Sequence, residues 1–386
     1  MEKFVMERSN DRVLTTHTGS LPRPQNVVDL LLDEEEHPGD KTKELDKAAR
    51  AAISDVVDSQ VKVGLDIIND GEQARPDYTS HVKDRLAGYD GPSSPPIVGT
   101  GEEGFPELNE LLGFLFATTP QNRPTCSGPI GWKNWEAVEE DISRASTLLE
   151  KTNTKEIFMT SPSPGQISRY LRNVYYPTEE EYIFALAQTM SREYEAIVEA
   201  GFILQLDCPD LALSRHTVFR HLNLTDFRKE IGMHVSALNE AVKNIPSERM
   251  RMHVCWSSTL GPHHEDVPLI DILDIVLKGK PGAVSFPGAN PRHAHEWKVW
   301  KDVNLPDEKI IIPGVIDSTS NFVEHPELVA DRIIQYSEMV GKENVIAGVD
   351  CGFGTFAGRL QVDRNIVWMK LESLSKGAKL ASEKLF

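Results

Sequence analysis

A histidine and two cysteines are the residues whose types and spacing most directly indicate chemistry. His253 and Cys255 stand two residues apart in an apolar run, and Cys351 follows a separate apolar run. Residues i and i+2 of a β-strand project from the same face, so His253 and Cys255 can approach one point. One imidazole and two thiolates form a zinc-selecting donor set, and three protein ligands are typical of catalytic zinc. Residue types alone leave open the alternative, a chance cluster of buried side chains, because unpaired cysteines are commonly buried.

Two carboxylates, Glu72 and Asp207, also follow apolar runs and have no adjacent basic residue in the sequence. A pair of carboxylates can hold the ammonium group of an amino-acid substrate through charge-assisted hydrogen bonds. Carboxylates in such positions also cap helices or bind loop amides, which is the structural alternative. The sequence leaves both interpretations open.

Two further polar segments have candidate roles. In the segment from Asn290 to Glu296, Arg292 is a candidate anion-binding residue, and His293 is a candidate metal ligand or proton donor. The polar start of a helix also explains much of this segment. The segment from His263 to Asp266 contains metal-ligand types, but Pro268 follows closely, which favours a solvated turn.

Eight short apolar runs alternate with longer amphipathic stretches, which is typical of repeated βα units. Eight such units favour a closed barrel over an open sheet, so the predicted fold is an α/β protein with a single (β/α)8 TIM barrel. The predicted strands are 13–17, 65–70, 156–160, 202–207, 250–256, 283–287, 310–316 and 345–350. The main predicted helices are 43–63, 179–200, 224–242 and 326–340. Because barrel active sites lie at the carboxyl ends of the strands, the polar residues above should converge at one mouth.

The domain prediction is one catalytic barrel over residues 1–386, with an insertion after the second strand. Glycine and proline are dense between about residues 75 and 155, and sustained amphipathic runs are few there. We interpret this segment as an insertion over or beside the barrel mouth, without a core of its own.

Charge and composition exclude several classes of partner. The formal charge of −18 opposes binding to nucleic acid or to anionic membranes, and no apolar run is long enough to span a bilayer. Four widely spaced cysteines do not resemble a disulfide framework, and the start of the chain lacks the apolar run of a signal peptide. We therefore expect a cytoplasmic enzyme, with a homo-oligomer left open.

Five segments taken together resemble the cobalamin-independent methionine synthase family. They are 17–24, 70–72, 205–207, 253–255 and 350–352. The resemblance follows their order over nearly the whole chain, and it is closest to the single-barrel branch that corresponds to the family's C-terminal half. It implies a (β/α)8 barrel in which Zn²⁺ activates a small-molecule thiol, homocysteine, toward an alkyl donor.

The resemblance also implies roles for single residues. It gives His253, Cys255 and Cys351 as zinc ligands, and Ser20, Glu72 and Asp207 as homocysteine-binding residues. His17, Arg23 and Arg292 complete the predicted substrate-binding set, while His293 and Asp317 are the candidate catalytic residues.

Two positions depart from the family pattern. Pro287 stands where the family has a glutamate zinc ligand, so we expect water, substrate or a residue such as His293 in the fourth position. Thr319 stands where the family has a histidine that helps to protonate the departing folate. The folate-gripping N-terminal barrel is also absent, so the alkyl donor is left open.

Three alternatives remain from the sequence. An epoxyalkane:coenzyme M transferase of the same branch would need arginines for a sulfonate thiol, with Arg23, Arg215 and Arg292 as candidates. A uroporphyrinogen-decarboxylase-like lyase would share the barrel without a metal, but the two candidate thiolates argue against it. A non-catalytic zinc-stabilised scaffold would not need polar residues at five strand ends.

Overall fold

The fold is a (β/α)8 barrel, as predicted. The computed structural model describes residues 6–95, 104–116, 122–152, 154 and 156–386. Eight parallel strands follow one another in the order β1-β10-β9-β8-β7-β6-β5-β2. They are β1 (Leu14–Thr15), β2 (Ile67–Ile68), β5 (Glu156–Pro162), β6 (Ile203–Asp207), β7 (Met250–His253), β8 (Ala283–Phe286), β9 (Ile310–Ile316) and β10 (Ile346–Val349). The two strands at the ends of this order are β1 and β2. The Asp66 amide, next to β2, donates to the Thr15 carbonyl of β1 at 3.2 Å, and this contact closes the barrel.

Helices surround this sheet. They are α1 (Gln25–Glu36), α2 (Thr42–Lys62), α3 (Val82–Arg85), α4 (Pro106–Phe116), α5 (Glu136–Lys151), α6 (Pro164–Tyr170), α7 (Glu179–Glu199), α8 (Leu224–Ala241), α9 (Leu273–Val276), α10 (Pro326–Val340) and α11 (Arg364–Leu385). The helix α7 shows why they form where the sequence predicts them. The Thr178 hydroxyl accepts from the Glu181 amide and caps its first turn, and a stripe of apolar residues faces the sheet. No helix of the described residues is long and apolar enough to cross a membrane.

Two apolar layers hold the barrel together. Within the barrel, β-branched and aromatic side chains such as Ile67, Phe158 and Ile312 form one buried cluster. A larger cluster fills the space between the sheet and the helices. Side chains beyond the last apolar layer of the strands therefore face the mouth where the strands end.

All eight predicted strands are present, although several are shorter than predicted. The difference that affects the site is in β7, which ends at His253, so Cys255 lies in the following loop rather than in the strand. This loop turns sharply, and Ser257 has a φ of 93°. His253 and Cys255 still approach one point, but the turn of this loop brings them together, rather than their position on the same face of a strand.

The segment between β2 and β5 contains more regular structure than its composition predicts. A small antiparallel sheet of two strands pairs β3 (Leu86–Ala87) with β4 (Gly131–Trp132). The amphipathic helix α5 follows and packs on α2 and β5, so it serves as a helix of the barrel wall. Residues 96–103 and 117–121, which carry part of the glycine- and proline-rich sequence, lie outside the described residues.

Candidate metal and substrate site

A cavity of about 200 Å³ opens at the carboxyl ends of the barrel strands. Residues that follow strands form one wall, and residues of α6 and of the surrounding loops form the rest. The strand-end wall contains Thr18, Ser20, Glu72, Asp207, His253, Cys255, Cys351 and Gly352. The remaining wall includes Tyr78, Arg123, Arg169, Tyr170, His216, Thr217, Phe356 and Arg359. Of the nine predicted substrate and metal residues, six line this cavity, and His17, Arg23 and Arg292 do not.

His253, Cys255 and Cys351 meet at the base of the strand-end wall. One ligand atom from each lies within 4.8 Å of the other two, and the two sulfurs are 3.5 Å apart. His253 is only 4% exposed, and neither of its ring nitrogens has a hydrogen-bond partner among the described residues. Buried polar atoms are almost always paired, so these nitrogens indicate a ligand. A single nitrogen with two sulfurs is a donor set that fits Zn²⁺.

The two thiols are electrostatically linked. The Cys255 thiol donates toward the Cys351 sulfur, and this contact lowers the pKa of Cys351 and raises that of Cys255. The Ser257 amide also donates to the Cys255 sulfur at 3.2 Å. The arrangement therefore already favours one thiolate, which is the form that binds a metal.

The loop after β8 supplies no carboxylate to this cluster. Pro287 lies between β8 and a loop that is fixed by Asp350, whose carboxylate accepts from the amides of Gly288, Ala289 and Asn290 at 2.8 Å. Among the described residues the metal-binding group has three members. The three ligands and the adjoining cavity together leave room for an exogenous fourth ligand.

Glu72 and Asp207 lie beside this cluster as two buried carboxylates. The Thr160 hydroxyl donates to Glu72 Oε1 at 3.0 Å, and the Gln205 amide donates to Asp207 Oδ1 at 2.8 Å. Glu72 Oε2 is buried and has no partner among the described residues. A cationic group in the cavity would satisfy this oxygen, as an ammonium group would.

Close packing of loops places Glu72. Its φ of 55° is unusual for a residue with a side chain, and this conformation aims the carboxylate at the strand-end wall. Gly19 lies against it, and a Cβ at that position would come within 2.6 Å of Glu72 Oε1. The glycine of the Gly19-Ser20 turn is therefore needed for the carboxylate to occupy its position.

Burial shifts the pKa of both carboxyl groups. Desolvation, reinforced by the charge of Asp207, raises the pKa of Glu72 to about 8. Desolvation also raises the pKa of Asp207 to about 6, although the nearby His253 and the Gln205 amide oppose it. In the absence of a cationic ligand, the pair therefore holds a proton at neutral pH.

His17 and Arg23 do not line the cavity, which differs from the expectation that they bind substrate. His17 is buried between Gln60, 2.7 Å from its Nε2, and the Gly19 amide, and burial lowers its pKa to about 3. Arg23 donates to the carbonyls of Glu72 and Gly354. Both residues position the loops that carry the site.

Arg292, His293 and Asp317 also lie away from the cavity lining. Arg292 is exposed and donates to the His264 carbonyl at 3.2 Å. Burial lowers the pKa of His293, but hydrogen bonds to Asp266 and Glu296 outweigh it and raise the pKa to about 9.

The two candidate catalytic residues, His293 and Asp317, are held by hydrogen bonds outside the cavity lining, and their catalytic roles stay predictions. Both ring nitrogens of His293 contact carboxylates, at 2.8 and 3.0 Å, so neither is available to a metal. Asp317 accepts from the Thr319 and Ser320 amides and shapes the turn after β9. Local sequence suggested chemistry, but local hydrogen bonds occupy these groups.

Comparisons with known proteins show what this chain is similar to. Residues 13–96 match the family described as cobalamin-independent synthase, catalytic domain. A methionine synthase of Saccharolobus solfataricus is 26% identical, and the alignment covers 96% of this chain and 95% of that protein. A methionine synthase of Sulfolobus acidocaldarius is 25% identical over 96% of this chain and 93% of that protein.

Solved structures agree with the fold. A B12-independent methionine synthase from Shewanella sp. W3-18-1, in complex with selenomethionine, superposes with a TM-score of 0.71 at 18% identity. The superposition covers 97% of this chain and 99% of that one. A putative vitamin-B12 independent methionine synthase from Listeria monocytogenes gives a TM-score of 0.63, also at 18% identity, over 97% of this chain and 99% of that one. Through the match over residues 13–96 and through relatives that span nearly its whole length, this chain is similar to cobalamin-independent methionine synthases, and it is a transferase.

Proposed function

We propose that this chain transfers a methyl group to the sulfur of homocysteine and that it uses Zn²⁺ to do so. The observation that carries the proposal is the meeting, in one cavity, of a nitrogen-and-two-sulfur cluster with a pair of buried carboxylates. The relatives named methionine synthase support the same activity. The donor set favours this activity over a metal-free lyase reaction on the same barrel.

His253, Cys255 and Cys351 would hold the zinc. When bound, the metal would supply a Lewis acid that keeps the substrate thiol ionised near neutral pH. Around it, Glu72 and Asp207 would bind the ammonium group of homocysteine, and Ser20 would contact the same substrate from the Gly19-Ser20 turn. In the transfer, the thiol proton leaves, the S–CH₃ bond forms, and the bond between the methyl group and its donor breaks.

The rest of the chain would serve this site as a single catalytic domain. We propose that residues 1–386 form one barrel and that the segment from about 75 to 155 is an insertion that depends on the barrel for its packing. Contacts across the two parts support this, because Arg75 donates to the Thr160 carbonyl at 2.8 Å and Arg85 pairs with Glu193 at 3.3 Å.

A product assay tests the proposed function. Zinc-loaded protein is incubated with homocysteine and, in separate reactions, with methylated folates or with methylcobalamin, and methionine is measured by mass spectrometry. We expect methionine from at least one donor, and its loss in Cys351→Ser but not in Cys126→Ala, a buried cysteine outside the cluster. Failure with every donor, together with epoxide opening by 2-mercaptoethanesulfonate, would replace homocysteine methylation by the coenzyme M transferase alternative.

A further inference from the structure

Three arginines line the cavity away from the strand ends, and two of them, Arg123 and Arg169, are buried. Arg169 is on α6, and Arg123 lies in the segment between α4 and β4. They are only 7% and 2% exposed, so their guanidinium groups are largely removed from bulk water. Neither is among the residues that the sequence singled out.

These guanidinium groups are incompletely bonded. Arg169 donates through Nη2 to the Thr217 hydroxyl at 3.2 Å, and its Nε has no partner among the described residues. Arg123 lies over the Tyr170 ring at 4.9 Å, and both its Nε and its Nη2 lack partners there. Burying a charged group without hydrogen bonds is costly unless a ligand of opposite charge supplies them.

Two other buried arginines, Arg75 and Arg85, show the contrast. Arg75 and Arg85 both form ion pairs with Asp141, and Arg85 also pairs with Glu193 at 3.3 Å. Within the described part of the chain, Arg123 and Arg169 form no ion pair.

The carboxylates that act on these two arginines through space are already occupied. Asp210, which acts on Arg169, accepts from the Ser163 hydroxyl and contacts His234 Nδ1, both at 2.8 Å. Asp77, which acts on Arg123, accepts from the Thr79 and Ser80 amides at 2.6 Å. Neither Asp210 nor Asp77 therefore forms an ion pair with Arg169 or Arg123, whose guanidinium groups line the cavity.

We infer that Arg123 and Arg169 form an oxyanion subsite that binds the acid group of the substrate thiol, a carboxylate or a sulfonate. This inference rests on the proposed thiol-alkylating function and adds the group that recognises the other end of the thiol. Guanidinium groups bind such planar or tetrahedral oxyanions through charge-assisted hydrogen bonds.

The inference also explains the charge distribution of the cavity. Two carboxylates lie beside the metal ligands on the strand-end wall, and the two buried guanidinium groups, of Arg123 and Arg169, lie on the remaining wall. An amino acid carries both an ammonium and a carboxylate group, so it matches both walls at once. A sulfonate thiol without an amino group would use only the arginines.

Matched pairs of thiols test the inference by calorimetry on zinc-loaded protein. Homocysteine is compared with 3-aminopropane-1-thiol, which lacks the carboxylate, and 2-mercaptoethanesulfonate is compared with ethanethiol. In wild type we expect the acid group to improve the Kd by about ten- to a hundredfold in at least one pair. In Arg169→Met and in Arg123→Met we expect that advantage to fall to less than threefold, with binding of the thiol that lacks the acid group unchanged.

The two pairs of thiols distinguish a carboxylate ligand from a sulfonate ligand. If the variants lose the acid-group advantage only in the homocysteine pair, the subsite binds a carboxylate. If they lose it only in the 2-mercaptoethanesulfonate pair, the subsite binds a sulfonate. Arg172→Met is the matched control, because Arg172 is exposed, is three residues from Arg169 and does not line the cavity, so the advantage should remain. An acid-group advantage that persists in both variants, or that is absent from both pairs in wild type, overturns the inference.

Two additional measurements separate a binding role from a structural one and from failure of the proposed function. An arginine needed only for folding would lower Tm when replaced, whereas removal of an unpaired buried cation should leave the ligand-free Tm unchanged or higher. Binding of methionine against 3-(methylthio)propylamine reads the carboxylate without any thiol. If thiols fail to bind but methionine still binds more tightly than 3-(methylthio)propylamine in an arginine-dependent way, the subsite is supported and the thiolate mechanism is contradicted. If methionine also shows no such advantage, both are contradicted.

Discussion

The two walls of the cavity differ in how the chain places them. On the strand-end wall, Asp207 and His253 are the last residues of β6 and β7, and Glu72 lies in the turn that follows β2. The remaining wall, formed by α6 and the surrounding loops, is here called the loop wall. Its Arg123 comes from a long connection between α4 and β4, and its Arg169 comes from the short helix α6. Barrel topology therefore determines the chemistry of the strand-end wall, while the loops determine which other ligand groups the site can recognise.

The walls also differ in the sign of their buried charge. The strand-end wall contains two carboxyl groups whose pKa values are raised by burial, and the loop wall contains two guanidinium groups without ion pairs in the described residues. Each wall is unfavourable alone, because a buried charge requires a partner. A ligand with charges of both signs would satisfy both walls, which is why binding should depend on each wall separately.

Removing a metal ligand should have the largest effect and should disable the strand-end wall. Cys351→Ser replaces a thiolate with a weakly ligating hydroxyl, so zinc affinity should fall by more than about a hundredfold and methyl transfer should fall with it. Elemental analysis after dialysis measures the zinc content. Cys126→Ala should keep one zinc per chain, and full zinc retention by Cys351→Ser would remove Cys351 from the metal site.

Neutralising one carboxylate should have the next largest effect and should be selective for amino thiols. In Asp207→Asn the lost charge-assisted contact should weaken homocysteine binding by about ten- to a hundredfold. Binding of 4-mercaptobutanoate, which keeps the thiol and the carboxylate but lacks the amino group, should change by less than threefold. Equal losses for both thiols would mean that Asp207 acts on the metal site or on the loops rather than on an ammonium group.

The raised pKa of Glu72 predicts a pH dependence for the same wall. Below about pH 8 the ligand-free group holds a proton, and an ammonium group can bind fully only when that proton leaves. Homocysteine affinity should therefore rise as the pH increases from 6 to 8, with proton release measurable by calorimetry in buffers of different ionisation enthalpy. Glu72→Gln should release fewer protons at pH 7, and an unchanged proton count would exclude Glu72 as the titrating group.

The smallest expected effect is on stability. The folded pKa of Glu72 is raised above its ordinary value of 4.5, so the unfolded chain loses its proton first and stability declines between about pH 4.5 and 8. Glu72→Gln removes this penalty, so ligand-free Tm should rise by a few degrees at pH 8 and stay nearly unchanged at pH 4. A decrease in Tm at pH 8 would show that hydrogen bonding by Glu72 outweighs its desolvation.

The sequence predicted the strand-end wall because a parallel barrel brings the ends of all its strands together. The eight runs with β-branched residues therefore located His253, Cys255 and Cys351 before any geometry was known. The loop wall escaped prediction because no periodicity relates Arg123 to Arg169 in the sequence. A charged residue in the short apolar stretch from Ile167 to Leu171 was the available signal.

The same reasoning explains why some candidate site residues from the sequence do not line the cavity. Arg23 and His293 have suitable side chains, but their partners, such as the Gly354 carbonyl and Asp266, are distant in the sequence. Hydrogen bonds of this kind depend on how loops pack, which residue spacing does not encode. Residue type identified candidates, and only the packing separated positioning residues from those that line the cavity.

X-ray absorption at the zinc edge tests the central claim most directly, because it counts the sulfur atoms around the metal. The claim is that His253, Cys255 and Cys351 hold a zinc with one position open to the substrate thiol. Zinc-loaded protein should show two sulfur ligands at about 2.3 Å, and addition of homocysteine should raise the count to three. A count that stays at two with saturating homocysteine would contradict the account.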